Sequence, residues 1–206
     1  VTGVQTCALP ILFNYFITDC IFTVGFLCAL FKVNLWYYKY KIMNYILFDG
    51  DVRNALLPFT YTKPVADIRI GILTIREKWE SYLGLTTTTI TEEYLEDKYP
   101  MVELEKNILI NASFLPTKSL VEKIKKLSKN EAIFKGEDVI AFYTSDSQED
   151  INFDDYKQIE LEETILQIKN TWYIFSLNAE ALQQDFDFIT EGRTSQPIPE
   201  GTRYIN

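Results

Sequence analysis

The sequence predicts an α/β sandwich, because strand-like and helix-like stretches alternate along most of the chain. Short apolar runs rich in β-branched and aromatic residues indicate strands, and apolar residues at helical spacing indicate helices. The first clear strand is the Tyr-Ile-Leu-Phe run at residues 45–48, which ends before Gly50. No internal repeat interrupts the alternation, so we expect one α/β domain.

The remaining elements follow from the same two patterns. Apolar residues at helical spacing predict helices at residues 70–83, with Gly84 as the C-cap, and at 118–127, 159–169 and 178–188. Strand-like runs predict strands at residues 86–90, 107–112 and 171–175, and a hairpin of 131–134 and 139–143 around Gly136. The polar stretch 145–155 predicts a loop. Two Pro and two Gly at residues 191–206 predict a linker.

The first 42 residues differ from the rest of the chain. Residues 1–11 resemble a translated sequencing-library adapter, and residues 12–42 consist mostly of residues that AT-rich codons favour. We therefore expect a non-native extension, made of adapter plus upstream read-through, with the native protein starting at Met43. The competing interpretation is a membrane span at residues 11–31, since such a stretch could cross a bilayer of about 30 Å.

Without those 42 residues the chain is acidic and lacks cysteine and histidine. Cys7, Cys20 and Cys28 all lie in the first segment, and the chain has no His. The body therefore excludes thiol chemistry, disulfides, the usual zinc ligand sets and Ser-His or Cys-His nucleophile pairs. The net charge is −9, and removing three Lys and one Asp makes it −11, which argues against nucleic acid. We expect a cytoplasmic domain with no membrane partner, unless residues 11–31 are native.

A stretch at residues 49–69 places a Gly turn, an Arg and a Lys directly after the first strand. In open α/β sheets, ligands bind beyond the carboxyl ends of the strands, where loop amides face anions. Gly50 would leave backbone amides accessible there, and Arg53 and Lys63 would add full positive charges. The pattern predicts a phosphate-binding loop.

The order of residues in this loop resembles the opening signature of the sugar-1-phosphate nucleotidylyltransferases. The matching residues are Gly50, Arg53, Pro58-Phe59-Thr60 and Lys63-Pro64. Residues 56–80 are more specifically similar to a branch common in Bacteroidetes-type bacteria, in which such a domain precedes a left-handed β-helix acyltransferase. Full-length members of that branch are named as UDP-N-acetylglucosamine pyrophosphorylase and glucosamine-1-phosphate N-acetyltransferase.

The resemblance implies a Rossmann-like, nucleotidyltransferase-type three-layer sandwich, reduced in size because the body is short. It places a sugar nucleotidyltransferase-like domain at residues 43–190 and makes residues 191–206 a linker to a left-handed β-helix domain that this sequence lacks. The full-length protein would then be a homo-oligomer through that β-helix domain.

The implied reaction transfers a nucleotidyl group from a nucleotide triphosphate to a sugar-1-phosphate, with Mg²⁺ as cofactor and a product of the UDP-N-acetylglucosamine or dTDP-glucose type. By resemblance, Arg53 would contact the triphosphate and Lys63 a transferring or sugar phosphate. Further candidates for nucleotide and phosphate binding are Gly50, Asp51, Arg69 and Arg76. The alternative role for the cations is surface ion pairing with nearby carboxylates, which contributes about 0–1 kcal/mol per pair.

Several acidic positions depart from the family pattern. Asp49 and Asp51 flank Gly50 and place carboxylates beside the expected phosphate, although either could instead hold a metal. The family's metal-binding Gly-Asp pair corresponds here to Asn111-Ala112, and alanine cannot ligate a metal. Asp185, late in the chain, could supply a further carboxylate, but we expect it to lie on the surface of a helix. The metal ligands stay unassigned, and the alternative function is a catalytically reduced module that binds a nucleotide sugar or supports a missing acyltransferase half.

Overall fold

The computed structural model describes residues 43–144, 151–199 and 201, and these belong to one compact unit, Met43–Asn206. The strands are β1 (Asn44–Phe48), β2 (Thr88–Ile90), β3 (Asn107–Asn111), β4 (Glu131–Lys135), β5 (Asp138–Thr144) and β6 (Lys157–Glu160). The α-helices are α1 (Ile75–Leu83), α2 (Lys118–Lys125), α3 (Tyr173–Ser176) and α4 (Asn178–Thr190). None of the helices in these ranges is long and apolar enough to span a membrane.

The six strands form one mixed sheet in the order β2-β1-β3-β5-β4-β6. Strand β1 pairs in parallel with both β2 and β3, and β4 pairs in parallel with β6. Strand β5 runs antiparallel to both of its neighbours, β3 and β4. This mainly parallel sheet with helical connections confirms the predicted α/β, Rossmann-like class, including the hairpin of β4 and β5.

The two faces of the sheet are covered in different ways. On one face, residues such as Leu47 and Ile110 pack in a large core with Trp79 of α1, Leu120 of α2 and Ala181 of α4. On the other face, a smaller cluster contains side chains from the sheet and from the segment after residue 150. Within the described ranges, every α-helix packs on the first face. The second face is covered in those ranges without an α-helix, by a segment that includes the short 3-10 helix Phe153–Asp155.

The helix α1 begins five residues later than predicted. Thr74 is its N-cap and forms a capping box with Glu77, in which the Thr74 amide donates to Glu77 Oε2 at 2.7 Å. This hydrogen bond lowers the pKa of the Glu77 carboxyl. Gly71, at φ +74°, and an isolated bridge between Arg69 and Thr74 keep the preceding residues out of the helix. Gly84 ends the helix in the left-handed conformation, as predicted.

Two predicted elements near the C-terminus are wrong. Residues 159–169 are not a helix, since the segment starts in β6 and continues as extended chain that bonds to the loop after β3, with Ile168 N donating to Ser113 O at 2.8 Å. Its apolar residues at helical spacing, Leu161, Ile165 and Ile168, are buried from an irregular backbone. Residues 171–175 are not a strand, since residues 173–175 lie in α3, from which Tyr173 and Ile174 pack partly buried against the large core.

A buried ion pair fixes α4 to the rest of the domain. Asp185 is only 5% exposed, so its expected helix-surface position is wrong. Its carboxylate pairs with Lys78 of α1 and accepts the amides of Ile72 at 2.8 Å and Leu73 at 3.1 Å. Burial lowers the pKa of the Lys78 ammonium, and the Asp185 carboxylate opposes that shift.

Residues 191–199 contain no helix or strand and are exposed. The prediction of a linker to a further domain stays a prediction. The proposed extension at residues 1–42, the alternative membrane span at 11–31 and the loop residues 145–150 lie outside the described ranges.

Candidate functional site

The site lies where the strand order changes direction. From β1 the chain crosses to β2 on one side and then returns to β3 on the other, so the carboxyl ends of β1 and β3 meet at a topological switch point. Ligands in open α/β sheets bind in the crevice at such a point. The switch point here falls at Phe48 and Asn111, which are paired in register.

A cavity of about 450 Å³ opens at this point, on the second face of the sheet. Its volume falls within the range of small-molecule sites. Aromatic rings form much of its wall, namely Phe48, Phe134, Phe142 and Phe153. Its polar side chains are Asp51, Asn111, Glu137 and Asp138, and the backbone of Gly50 completes the rim.

Gly50 is required by the backbone at the end of β1. Its φ of +62° and ψ of −173° lie in a region that only glycine adopts without strain. A Cβ at this position would also meet the Asn111 side-chain nitrogen at 3.3 Å. Glycine therefore lets the chain turn tightly while the Asn111 carboxamide stands beside it in the cavity.

Asp49 ties the end of β1 to the far part of the predicted loop. Its side chain is buried, and Oδ1 accepts the Val65 amide at 2.7 Å. The other oxygen, Oδ2, pairs with Arg53 and accepts the Thr91 hydroxyl at 2.6 Å. Asp49 is thus a structural carboxylate rather than a metal ligand, because both of its oxygens are occupied by protein donors.

The guanidinium of Arg53 lies inside the loop instead of facing the cavity. It is 7% exposed, pairs with Asp49, and donates to the Thr91 hydroxyl at 3.0 Å. A further nitrogen donates to the Thr60 carbonyl at 2.5 Å and the Tyr94 hydroxyl at 3.0 Å. These bonds hold the segment from residue 49 to residue 60 together. Arg53 therefore stabilises the loop conformation. Its side chain does not line the cavity.

Lys63 is the loop cation that remains available. It is half-buried, and no hydrogen bond or ion pair joins its ammonium to another side chain or carbonyl of the described ranges. Lys63 lies two residues from Val65, whose amide is anchored on Asp49 next to Gly50. Lys63 does not line the cavity, and its predicted role in phosphate binding stays a prediction.

Arg69 and Arg76 form ion pairs with nearby carboxylates, which is the alternative role that the sequence suggests for these cations. Arg76 Nε is 2.7 Å from Asp67 Oδ1, and the same guanidinium donates to Thr89 of β2. Arg69 is mostly exposed and lies 3.6 Å from Glu77. Neither arginine lines the cavity, so only Gly50 and Asp51 of the predicted site residues reach it directly.

Three carboxylates lie at the rim of the cavity. Asp51 and Glu137 are exposed, and neither has a hydrogen bond or ion pair within the described ranges. Asp138 accepts from Lys169 at 2.7 Å, which holds the pKa of this carboxyl below its usual range. Glu137 and Asp138 lie at the turn between β4 and β5, where the sequence suggested only a hairpin.

The side chain of Asn111 is held in a single orientation at the end of β3. Its Nδ2 donates to the Val139 carbonyl at 3.0 Å, and its Oδ1 accepts the Ser113 amide at 3.0 Å. One N–H and one acceptor position of the carboxamide remain for a ligand. In the sequence, Asn111 stands in the place of a metal-binding motif, and its position at the end of a predicted strand is the signal that marks it as a candidate site residue.

The residues present do not fit a protein-built Mg²⁺ site. Ala112, in the place of the family's metal-binding aspartate, is fully buried and its amide bonds to Phe48 O at 2.9 Å. Within the described ranges, no three carboxylate, His or Cys side chains come close enough together to hold a metal ion. The family commonly uses Mg²⁺, but the side chains here supply no ligand set for it.

A family model and a solved structure resemble this chain. A family model described as "Sugar nucleotidyl transferase" matches residues 45–194, which is more than half of the chain. No curated protein matches the chain significantly. A Bacillus anthracis structure, described as a glucose-1-phosphate thymidylyltransferase in complex with a sucrose, is 10% identical with a TM-score of 0.41, covering 68% of this chain and 96% of its own. That likeness is too distant to bear on function. By the family match, the chain belongs to the sugar nucleotidyl transferase family.

Proposed function

We propose that this domain binds a nucleotide triphosphate and a sugar-1-phosphate at the carboxyl ends of β1 and β3, and transfers the nucleotidyl group to the sugar-1-phosphate. The products would be of the UDP-N-acetylglucosamine or dTDP-glucose type, with pyrophosphate released. The observation that carries the proposal is the cavity at the switch point, with Gly50 and Asn111 at its rim. The family match supports nucleotidyl transfer on a sugar phosphate as the general reaction.

Nucleotidyl transfer makes two demands on the protein. A sugar phosphate attacks the α-phosphorus of the triphosphate, so the site must align the two reactants and offset several negative charges. Lys63 could meet part of the second demand, because its ammonium has no competing partner in the described ranges and its backbone is two residues from Val65, whose amide bonds to Asp49. We therefore assign Lys63 as the phosphate-contacting cation.

Arg53 has a different role in this proposal. The donors of its guanidinium are engaged with Asp49, Thr60, Thr91 and Tyr94. Releasing them to reach a triphosphate would leave a buried carboxylate without its partner, which is costly. Arg53 therefore acts as a positioning residue that sets the course of the loop carrying Gly50 and Lys63.

The second candidate is a module that binds a nucleotide sugar without catalysing transfer. Two observations favour it: the buried Ala112 in place of a metal-binding aspartate, and the engagement of Arg53 inside the loop. Both candidates share the same cavity and differ only in whether the bound ligand reacts.

A cytoplasmic location is also proposed, since nucleotide triphosphates are cytoplasmic substrates and the acidic body contains no cysteine. Because the body carries a net negative charge, we do not propose nucleic acid as a partner.

One assay separates the two candidates. The full chain is mixed with each nucleotide triphosphate, a set of sugar-1-phosphates and Mg²⁺, and pyrophosphate release is measured. The proposal expects release with at least one pair of substrates. No release with any pair, together with measurable binding of UDP-N-acetylglucosamine or dTDP-glucose, would favour the binding module. Neither release nor binding would overturn both.

The role of Lys63 has its own test. Lys63→Ala should weaken binding of the nucleotide sugar about tenfold, because a charge-assisted hydrogen bond to a phosphate is lost. The matched control is Lys126→Ala, which removes an exposed lysine at the end of α2. Equal affinities of the two variants, measured by calorimetry, would contradict the assignment.

A further inference from the structure

We infer that Thr91, which directly follows β2, is a positioning residue of the candidate site. Its hydroxyl fixes the Asp49–Arg53 pair, and this pair in turn fixes the loop that begins at Gly50. The inference rests on the proposed function, because the shape of this loop affects binding only if the ligand lies at the end of β1. Thr91 belongs neither to the predicted loop nor to the wall of the cavity.

The Thr91 hydroxyl bonds to both members of the buried pair. It donates to Asp49 Oδ2 at 2.6 Å and accepts from Arg53 Nη1 at 3.0 Å. A carboxylate only accepts and a guanidinium only donates, whereas a hydroxyl has one donor and two acceptor positions. One hydroxyl therefore serves both charged groups. An apolar side chain of the same shape would take this partner away from a buried carboxylate and a buried N–H, which is costly.

The pair that Thr91 contacts acts on both ends of the loop. Asp49 directly precedes Gly50, and the Arg53 amide donates to the Gly50 carbonyl at 3.3 Å, so the pair spans the turn after β1. The other oxygen of Asp49 accepts the Val65 amide at 2.7 Å, which ties the far end of the loop to the same carboxylate. A rotation of the Asp49 side chain would therefore disturb the chain at both Gly50 and Val65.

The position of Thr91 itself is set by the sheet. The preceding residue, Ile90, pairs in register with Phe48 at the end of β1. Ile90 and Phe48 both line the cavity, so Thr91 lies one residue beyond the cavity wall. A site that is built on strands is held more precisely than one built on loops. Thr91 therefore fixes the loop after β1 relative to β2.

Two further side chains of the same segment contact Arg53. The Tyr94 hydroxyl accepts from Arg53 Nη2 at 3.0 Å, and Glu92 Oε1 lies 3.5 Å from Nε. Both side chains are exposed, so water competes for these contacts and they contribute little. Thr91 is half-buried and also bonds to the carboxylate of the pair. Of the three residues, Thr91 should therefore have the largest effect on the loop.

Two matched pairs of side chains at position 91 test the inference in the full chain. Thr91→Val removes the hydroxyl from the wild-type shape. Thr91→Ser and Thr91→Ala differ from each other only in the hydroxyl, so the comparison does not depend on the folding of one variant. The control is Thr88→Val in β2, because the Thr88 hydroxyl donates to the Val102 carbonyl at 3.3 Å rather than to the loop.

The first measurement is the amide NMR spectrum of the ligand-free chain. The signals of Gly50 and Val65 should move in Thr91→Val and Thr91→Ala, because Asp49 loses a donor. They should stay near their wild-type positions in Thr91→Ser and in the Thr88→Val control. Unmoved signals in the two variants without the hydroxyl would overturn the inference.

The second measurement is the affinity of the folded variants for UDP-N-acetylglucosamine or dTDP-glucose, by calorimetry. Loss of the hydroxyl should weaken binding about fivefold, as expected for one lost hydrogen bond, whereas Thr91→Ser should stay within about twofold of the wild type. A purely structural role would lower stability in urea without changing this affinity. Unchanged affinity in Thr91→Val, or an equal loss in Thr91→Ser and Thr91→Ala, would overturn the inference.

Failure of the proposed function would look different. A wild-type chain that neither releases pyrophosphate nor binds a nucleotide sugar would overturn the proposed function, while the ligand-free spectra would still show whether Thr91 positions the loop. A chain that binds and reacts equally well with and without the Thr91 hydroxyl would keep the proposed function and overturn the inference.

Discussion

Two buried ion pairs among the described residues stabilise this domain, and they have different roles. Lys78 and Asp185 join α1 to α4 on the helical face, and the Asp185 carboxylate also accepts two loop amides. Asp49 and Arg53 lie at the end of β1, beside the cavity, and bind the loop that carries the predicted site. The first pair joins two helices, whereas the second stabilises the loop of the candidate ligand site. Both pairs are buried and oppositely charged, so they differ in the further groups that each pair contacts.

The largest effect is expected at the first pair. Asp185→Ala leaves the Lys78 ammonium buried without a partner and removes the acceptor of the Ile72 and Leu73 amides. Breaking a buried pair in this way costs about 3–5 kcal/mol, measured as the free energy of unfolding in urea. The folded fraction should bind nucleotide sugar with unchanged affinity. A loss of affinity in the folded variant would show that the two pairs are not separate in function.

A smaller loss of stability, but with a loss of binding, is expected at the second pair. Arg53→Lys keeps the positive charge beside Asp49 but cannot reproduce the planar set of donors to Thr60, Thr91 and Tyr94. We expect about 2 kcal/mol less stability, since two or more hydrogen bonds of a buried group are lost. Binding of nucleotide sugar should also weaken several-fold because the loop shifts. If the variant loses stability but keeps its affinity for nucleotide sugar, Arg53 has only a structural role, as Lys78 has.

The third variant, at Gly50, is expected to lose about as much stability as Arg53→Lys. Gly50→Ala places a Cβ against Asn111 and forces a backbone conformation that costs about 1–3 kcal/mol. The matched control is Gly84→Ala, which has a φ of +73° but nothing within 4 Å of the added Cβ. Both variants should lose stability in urea, but only Gly50→Ala should weaken ligand binding. Equal binding by the two variants would place the ligand away from the end of β1.

Much of the fold follows from local sequence patterns. The strand before Gly50, the strand ending at Asn111 and the hairpin around Gly136 carry β-branched and aromatic residues between clear turn residues, and the structure confirms them. The segment at residues 159–169 has helical spacing, but its backbone bonds to the loop after β3, which is distant in sequence. Such long-range pairing leaves no local pattern, and the prediction there is wrong.

Only part of the candidate site could be predicted from the sequence, because several of its contacts join residues that are distant in the chain. The position of the loop at the end of β1 follows from its residues, and Gly50 and Asp51 reach the cavity. The role of Arg53 depends on Thr91 and Tyr94, which lie about forty residues later and face it only in the folded protein. Glu137 reaches the rim through the hairpin turn, which sequence alone does not place beside β1.

The most direct test of the account is where a nucleotide sugar binds. Backbone amide shifts of the full chain can be followed by NMR during titration with UDP-N-acetylglucosamine or dTDP-glucose. The largest changes should occur around the cavity at the switch point, at Gly50, Asp51, Asn111 and Glu137. Changes centred instead on a different cavity, which Tyr82, Lys118 and Phe188 line on the helical side, would contradict this placement.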